Sequence, residues 1–158
     1  MLWKKLLVPL FCLCMASSAC AKGNAARSPE LKLKDLAGQE VDLAGYTGQS
    51  GKPMVLFFWT SWCPFCLKEL KVIDQQTASA GAAVDIFAIN TGESRKIAER
   101  VARNYSLKVR VLVDDESVVS DLLGVMGVPT FIMVDAKGVI VYRDNAFPAA
   151  QIAALAGK

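Results

Sequence analysis

The sequence predicts an α/β fold, a central mixed sheet flanked by helices with an N-terminal β-hairpin extension. Three observations carry this. Met54 to Trp59 (MVLFFW) is an unbroken apolar run, the mark of a strand buried on both faces. Strand and helix patterns then alternate along the chain, which is the order of a parallel-rich sheet. Two apolar segments also flank Asp135-Ala136-Lys137-Gly138, a hairpin signal that adds antiparallel strands.

The elements follow in order. Residues 22–30 are small and polar and read as a tether to the fold, which occupies residues 31–158. Leu31, Leu33, Val41 and Leu43 alternate around Asp35 to Glu40, as in a short hairpin. Ser50-Gly51-Lys52-Pro53 is a turn signal ahead of the buried strand. Pro64 to about Ala80 reads as a helix that Gly81 can end. Val84 to Asn90 is the next strand, and Ser94 to Tyr105 a helix in which Ile97, Val101 and Tyr105 recur every four residues. Val109 to Val113 is a short strand and Val118 to Leu123 a short helix. After the turn Gly124 to Gly127, Thr130 to Val134 and Val139 to Arg143 form the hairpin, and Pro148 to Ala156 closes as a helix with Ile152 and Leu155 inward.

A chain of 158 residues holds one domain with a proper core. Its start has the layout of an export signal over residues 1–21: Lys4 and Lys5, an apolar run from Leu6 to Met15, then small residues to Ala21. The apolar run is shorter than the roughly 20 residues of a membrane-spanning helix. Ala19-Cys20-Ala21 fits a cleavage site that frees a soluble chain. Ser17-Ser18-Ala19-Cys20 equally resembles a lipoprotein box, with Ser17 at its usual aliphatic position and Cys20 as the lipidation candidate. The expected compartment is the periplasm or the extracytoplasmic side of the membrane, reached in soluble or lipid-anchored form. Without residues 1–21 the chain carries 16 basic and 15 acidic side chains, a net +1. That balance calls for neither nucleic acid nor an anionic membrane as a partner.

Cys12, Cys14 and Cys20 lie in the signal region, so Cys63 and Cys66 are the pair left to the folded domain. A disulfide-stapled scaffold is therefore excluded. The chain has no histidine, which removes Ser-His and Cys-His nucleophile pairs and most zinc and haem sites. Two cysteines also fall short of a four-ligand metal site. No metal is expected, and no cofactor beyond a redox-active Cys63-Cys66 disulfide.

A C-x-x-C where a buried strand ends and a helix begins exposes its first sulfur at the positive end of the helix dipole. Backbone N–H groups there favour thiolate over thiol, which makes Cys63 the nucleophile. Cys66 follows on the same helical face, within reach to close an intramolecular disulfide and resolve a mixed one. It is expected to be the more buried sulfur. Pro64 suits the first helical turn, where its missing N–H has no intrahelical partner. Glu69 has Phe65, Cys66, Val72 and Ile73 at helical spacing, with no Lys or Arg among them. Against that apolar surface it is partly desolvated and suited to move the Cys66 proton. The alternative is a solvated surface glutamate.

Phe58-Trp59-Thr60-Ser61-Trp62-Cys63-Pro64-Phe65-Cys66 resembles the active-site segment of thioredoxins. Gly127-Val128-Pro129-Thr130-Phe131 resembles their second signature, a loop whose cis proline faces the cysteine pair. The interval between the two, with Ile86 to Ser94 inside it, is longer than in minimal thioredoxins and is similar to the exported TlpA/ResA-like branch. That resemblance implies a thioredoxin-like fold and a thiol-disulfide oxidoreductase of the protein-disulfide reductase type. It implies protein thiol or disulfide substrates, apocytochrome c among them, and an upstream thiol-disulfide electron donor. Trp62, Pro64, Phe65, Val128 and Pro129 become the candidate substrate contacts, and the acidic residue after the motif gives Glu69 its proton-handling role. Read without the resemblance, Pro129 is an ordinary trans turn proline, since only ~5% of X-Pro bonds are cis. If cis, it leaves the Val128 backbone free to pair with an extended substrate. Phe57 departs from the pattern, because ordinary thioredoxins carry a buried aspartate there. Trp59 and Trp62 are either packing around the site or substrate contacts. Two other functions stay open: a redox-sensing or binding module without turnover, and a thiol peroxidase. The latter rests on Thr60, three residues before Cys63, but Leu56 fills the place of that motif's proline.

Overall fold

The computed structural model describes residues 31–80 and 83–156. The expected export signal, Cys20, the tether and Gly81 lie outside these residues. Along the chain come β1 (Lys32–Asp35), β2 (Glu40–Asp42), α1 (Leu43–Ser50), β3 (Met54–Trp59), α2 (Pro64–Ala80), β4 (Asp85–Thr91) and α3 (Arg95–Tyr105). Then follow β5 (Arg110–Asp114), α4 (Val118–Leu122), β6 (Thr130–Val134), β7 (Ile140–Asp144) and α5 (Ala149–Ala156). The seven strands form one sheet in the order β2-β1-β5-β4-β3-β6-β7. The central three, β3, β4 and β5, are parallel, and the strands on either side join antiparallel.

The apolar run of β3 is explained by two cores. Val55, Phe57 and Trp59 face Cys66, Leu70 and Ile73 of α2, with Ala98 and Val101 of α3 and Ile152 of α5 on the same side. Met54, Leu56 and Phe58 face the other side, with Leu43 of α1 and Val119 of α4. Every residue of β3 is buried, because alternate side chains enter opposite cores. Phe57, at the position where a thioredoxin has its aspartate, stacks on Phe131 with centroids 4.6 Å apart. An apolar aromatic pair therefore fills that place beneath the cysteines.

Two features sharpen the sequence reading. The N-terminal hairpin is continuous with the main sheet, since β1 pairs with β5 through Lys34–Val113 and Asp35–Leu112. Asp35 fastens this junction: its Oδ2 accepts from Arg110 at 2.7 Å and its Oδ1 from the Gln39 N–H at 2.9 Å. Burial pushes the Asp35 carboxyl upward, but the Arg110 guanidinium and the backbone donors outweigh it and hold it below the usual range. Helix α1 had no counterpart in the sequence pattern. Its signal is in the caps: Asp42 Oδ1 accepts from Ala44 and Gly45 N–H groups, and Gly51 closes the other end at φ 67°.

Topology then places the loops. β3 and β6 run antiparallel with Phe58 opposite Thr130, so the residues after β3 meet those before β6. β3 and β4 run parallel with Trp59 opposite Asn90, so the loops following both emerge side by side. Thr91 likewise lies opposite Asp114 at the end of β5. The carboxyl ends of three parallel strands thus converge where an α/β sheet ordinarily holds its site.

Candidate active site

Cys63 stands in that convergence, just ahead of α2, and is disulfide-bonded to Cys66 with Cα atoms 5.2 Å apart. Pro64 opens the helix, as its missing N–H allows. Cys63 Sγ receives the Cys66 N–H at 3.1 Å, and the Cys63 carbonyl receives the Leu67 N–H at 3.1 Å. The sulfur therefore occupies the acceptor position that Ser or Asp fills at an ordinary helix N-cap. Negative charge on it is stabilised by a backbone donor and by the helix dipole together. Cys66 is the more deeply placed sulfur, at 0% exposure against 4% for Cys63.

The second loop meets the pair as its resemblance implies. The Val128-Pro129 bond is cis, and the Val128 carbonyl oxygen lies 3.9 Å from Cys63 Sγ. The two tryptophans separate: Trp59 is wholly buried in the core, whereas Trp62 is 71% exposed. Phe65 is 69% exposed and Pro64 is exposed as well. Trp62 and Phe65 therefore flank Cys63 with apolar surface in contact with solvent. Glu69 lies on α2 between the buried line of Cys66 and Ile73 and the exposed Phe65 and Val72, and is half-buried.

One charged residue of the site escaped the sequence reading. Glu93, in the loop after β4, accepts from the Ser61 N–H at 2.7 Å and the Ser61 hydroxyl at 2.5 Å. It also accepts from the amide of buried Asn90 at 2.7 Å, and that amide reaches the Trp59 carbonyl at 3.4 Å. Glu93 thereby ties the turn that carries Cys63 to the neighbouring strand. The available signals were a polar Asn90 ending an apolar strand and a Gly-Glu-Ser turn at that strand's carboxyl end.

The sequence profile of the AhpC/TSA family matches residues 25–143. The thiol-disulfide oxidoreductase ResA of Geobacillus thermodenitrificans is 31% identical over 122 residues, covering 77% of this chain and 67% of that protein. The soluble secreted antigen MPT53 of Mycobacterium bovis is 34% identical over 95 residues, covering 60% of this chain and 54% of that one. Among solved structures, a secreted Mycobacterium tuberculosis disulfide oxidoreductase homologous to E. coli DsbE aligns with a TM-score of 0.67 at 28% identity. That alignment covers 83% of this chain and 100% of the other. With the capped Cys63-Cys66 pair, these likenesses agree on one conclusion: the chain belongs to the AhpC/TSA family and is a thioredoxin-like thiol-disulfide oxidoreductase of the ResA-like kind.

Proposed function

We propose that this oxidoreductase works outside the cytoplasm as a reductase of protein disulfides, with apocytochrome c as its most specific candidate substrate. The observation that carries the chemistry is Cys63 Sγ at the helix N-cap, held by the Cys66 N–H. In the reduced enzyme the Cys63 thiolate attacks a substrate disulfide, forming a mixed disulfide and releasing one substrate thiolate. The Cys66 thiolate then attacks Cys63 Sγ, which closes the enzyme disulfide and releases the second substrate thiolate. Two electrons pass to the substrate, and an upstream dithiol donor restores the enzyme by the reverse exchange. Trp62 and Phe65 supply apolar docking surface, Pro64 shapes the turn between them, and the loop of Val128 and Pro129 offers a backbone edge for an extended segment. No metal or further cofactor enters this scheme. The export-signal layout of residues 1–21 and the lipoprotein-box resemblance at Cys20 support the compartment, as does the likeness to a soluble secreted antigen.

The direction of exchange is tested by the midpoint potential of the Cys63-Cys66 couple. A reductase is expected below about −200 mV, on the reducing side of protein disulfide isomerase. A value near about −120 mV, typical of a dedicated oxidant, overturns the reductive direction. Turnover of peroxide in place of disulfides would replace the reading with a thiol peroxidase, and turnover of neither with a redox sensor.

Glu69 is assigned the Cys66 proton. The half-buried carboxylate takes it as Cys66 becomes the attacking thiolate, and returns it on re-reduction. Glu69→Gln is expected to slow exchange about tenfold at neutral pH, the low end of a lost general base, and to displace the Cys66 titration. Thiol titration and exchange rates identical to those of the unmodified protein would leave Glu69 as a surface side chain.

A further inference from the structure

The loops after β3, β4 and β5, with the loop before β6, enclose a cleft of about 290 Å³ beside the cysteine pair. It shares Trp62 and Val128 with the disulfide site, so a chain reacting at Cys63 runs along its edge. The outer wall is apolar: Met126 is 97% exposed, next to Val125 and Trp62. The inner wall carries hydroxyls, and for Ser120 and Thr91 the hydrogen has a fixed direction.

Buried Asp114 sets that direction. Its oxygens accept the Val119 N–H at 3.1 Å, the Ser120 N–H at 2.8 Å and the Ser120 hydroxyl at 2.6 Å. A carboxylate so engaged only accepts, so Ser120 spends its single hydrogen there. The 2.6 Å contact between Ser120 Oγ and Thr91 Oγ1 must then be donated by Thr91. With its hydrogen spent on Ser120, Thr91 can only accept from Ser117 Oγ, 3.2 Å away, and it keeps one lone pair for the cleft. At the floor, Thr60 is 4% exposed and its Oγ1 has no partner among the described residues. The exposed carboxylate of Asp121 lies at the rim. The nearby cation, Arg143, is committed to the Leu123 and Gly124 carbonyls at 2.6 and 3.4 Å. Gly92 keeps the floor open, since a Cβ there would stand 3.3 Å from Ser117 Oγ.

An apolar mouth leading to an accepting hydroxyl and a carboxylate suits a long side chain with a cationic tip. We propose that this cleft is a substrate subsite for a lysine or arginine lying one or two residues from the substrate cysteine that reacts with Cys63. The methylene stem packs on Met126, Val125 and Trp62, and the charged nitrogen is received by Thr91 and Asp121. The subsite rests on the disulfide-exchange reading and adds to it the kind of sequence that is exchanged.

The test uses the reduced protein and short synthetic peptides whose one cysteine carries a 5-thio-2-nitrobenzoate mixed disulfide. Lysine, norleucine or glutamate is placed in turn at each of the two positions on either side. At one position lysine is expected to react ~5–20-fold faster than glutamate, the worth of one charge-assisted bond in a partly wet site, with norleucine between. That ratio falls as salt is added. In a Thr91→Val, Asp121→Asn variant it approaches one. Equal rates for the three peptides at all positions overturn the subsite and leave the oxidoreductase standing. A lysine preference that survives in the double variant also overturns it, by placing recognition elsewhere. Rates no faster than those of a free thiol with every peptide would overturn the exchange reading itself.

Discussion

Cys63→Ser is expected to lower the exchange rate on any disulfide by at least about a thousandfold, some 4 kcal/mol of barrier. A serine hydroxyl at the same N-cap keeps the helix, because it accepts the Cys66 N–H as the sulfur does. The fold therefore survives while the nucleophile is lost. Cys66→Ser is not equivalent. It leaves Cys63 at the helix terminus, bordered by exposed Trp62 and Phe65, so the first attack proceeds and the mixed disulfide has no resolving thiol. That variant is expected to accumulate covalent complexes with substrate, visible as reducible adducts by mass spectrometry. The asymmetry comes from placement, since Cys66 is wholly buried beneath the first turn of α2. Adducts on Cys63→Ser together with an inert Cys66→Ser would invert the roles. In the unmodified reduced protein, Cys63 should be alkylated at pH values well below about 8.5, where a free thiol is mostly protonated.

Much of this site was legible because its signals are local. A strand-to-helix junction with Cys63, Pro64 and Cys66 declares its geometry within a few residues, and the N-cap sulfur follows from that spacing. The apolar run of β3 likewise declared burial on both faces, although not which helices would cover each face. Helix α1 was missed because Gly45 and Gly48 weaken its pattern; its ends are defined by Asp42 and Gly51 instead. The hairpin was legible as a hairpin, but its pairing with β5 joins Lys34 to Val113, and no periodicity reports a contact at such separation. Glu93 was hidden for the same reason, since it acts on Ser61 across 32 residues. The hydroxyl-lined cleft depends on the ends of three strands meeting, a property of sheet order rather than of any one segment.

Glu93→Ala should destabilise the protein by about 2–3 kcal/mol, the cost of stranding buried donors, and lower Tm by roughly 4–12 °C in a chain of this size. Its carboxylate serves three donors at once, and alanine leaves the Ser61 N–H and hydroxyl without it and the Asn90 amide with only the 3.4 Å contact to Trp59. Asn90 is wholly buried, so water does not substitute easily. The surroundings offer little slack, because Trp59 Nε1, Thr60 Oγ1 and Asn90 Oδ1 already lack partners among the described residues. Glu93→Gln separates geometry from charge. Its amide oxygen can receive the Ser61 and Asn90 N–H groups, while its NH2 donates to the Ser61 hydroxyl, which turns to accept. The glutamine variant is therefore expected to keep nearly the stability of the unmodified protein. Removing the negative charge that contacts Ser61, two residues before Cys63, should also move alkylation of that cysteine to lower pH. Thermal unfolding and pH-dependent alkylation of both variants decide the matter: alanine as stable as the unmodified protein would show that Glu93 does not hold the loop. Glutamine as damaging as alanine would show that the charge, and not the three hydrogen bonds, is what the turn requires.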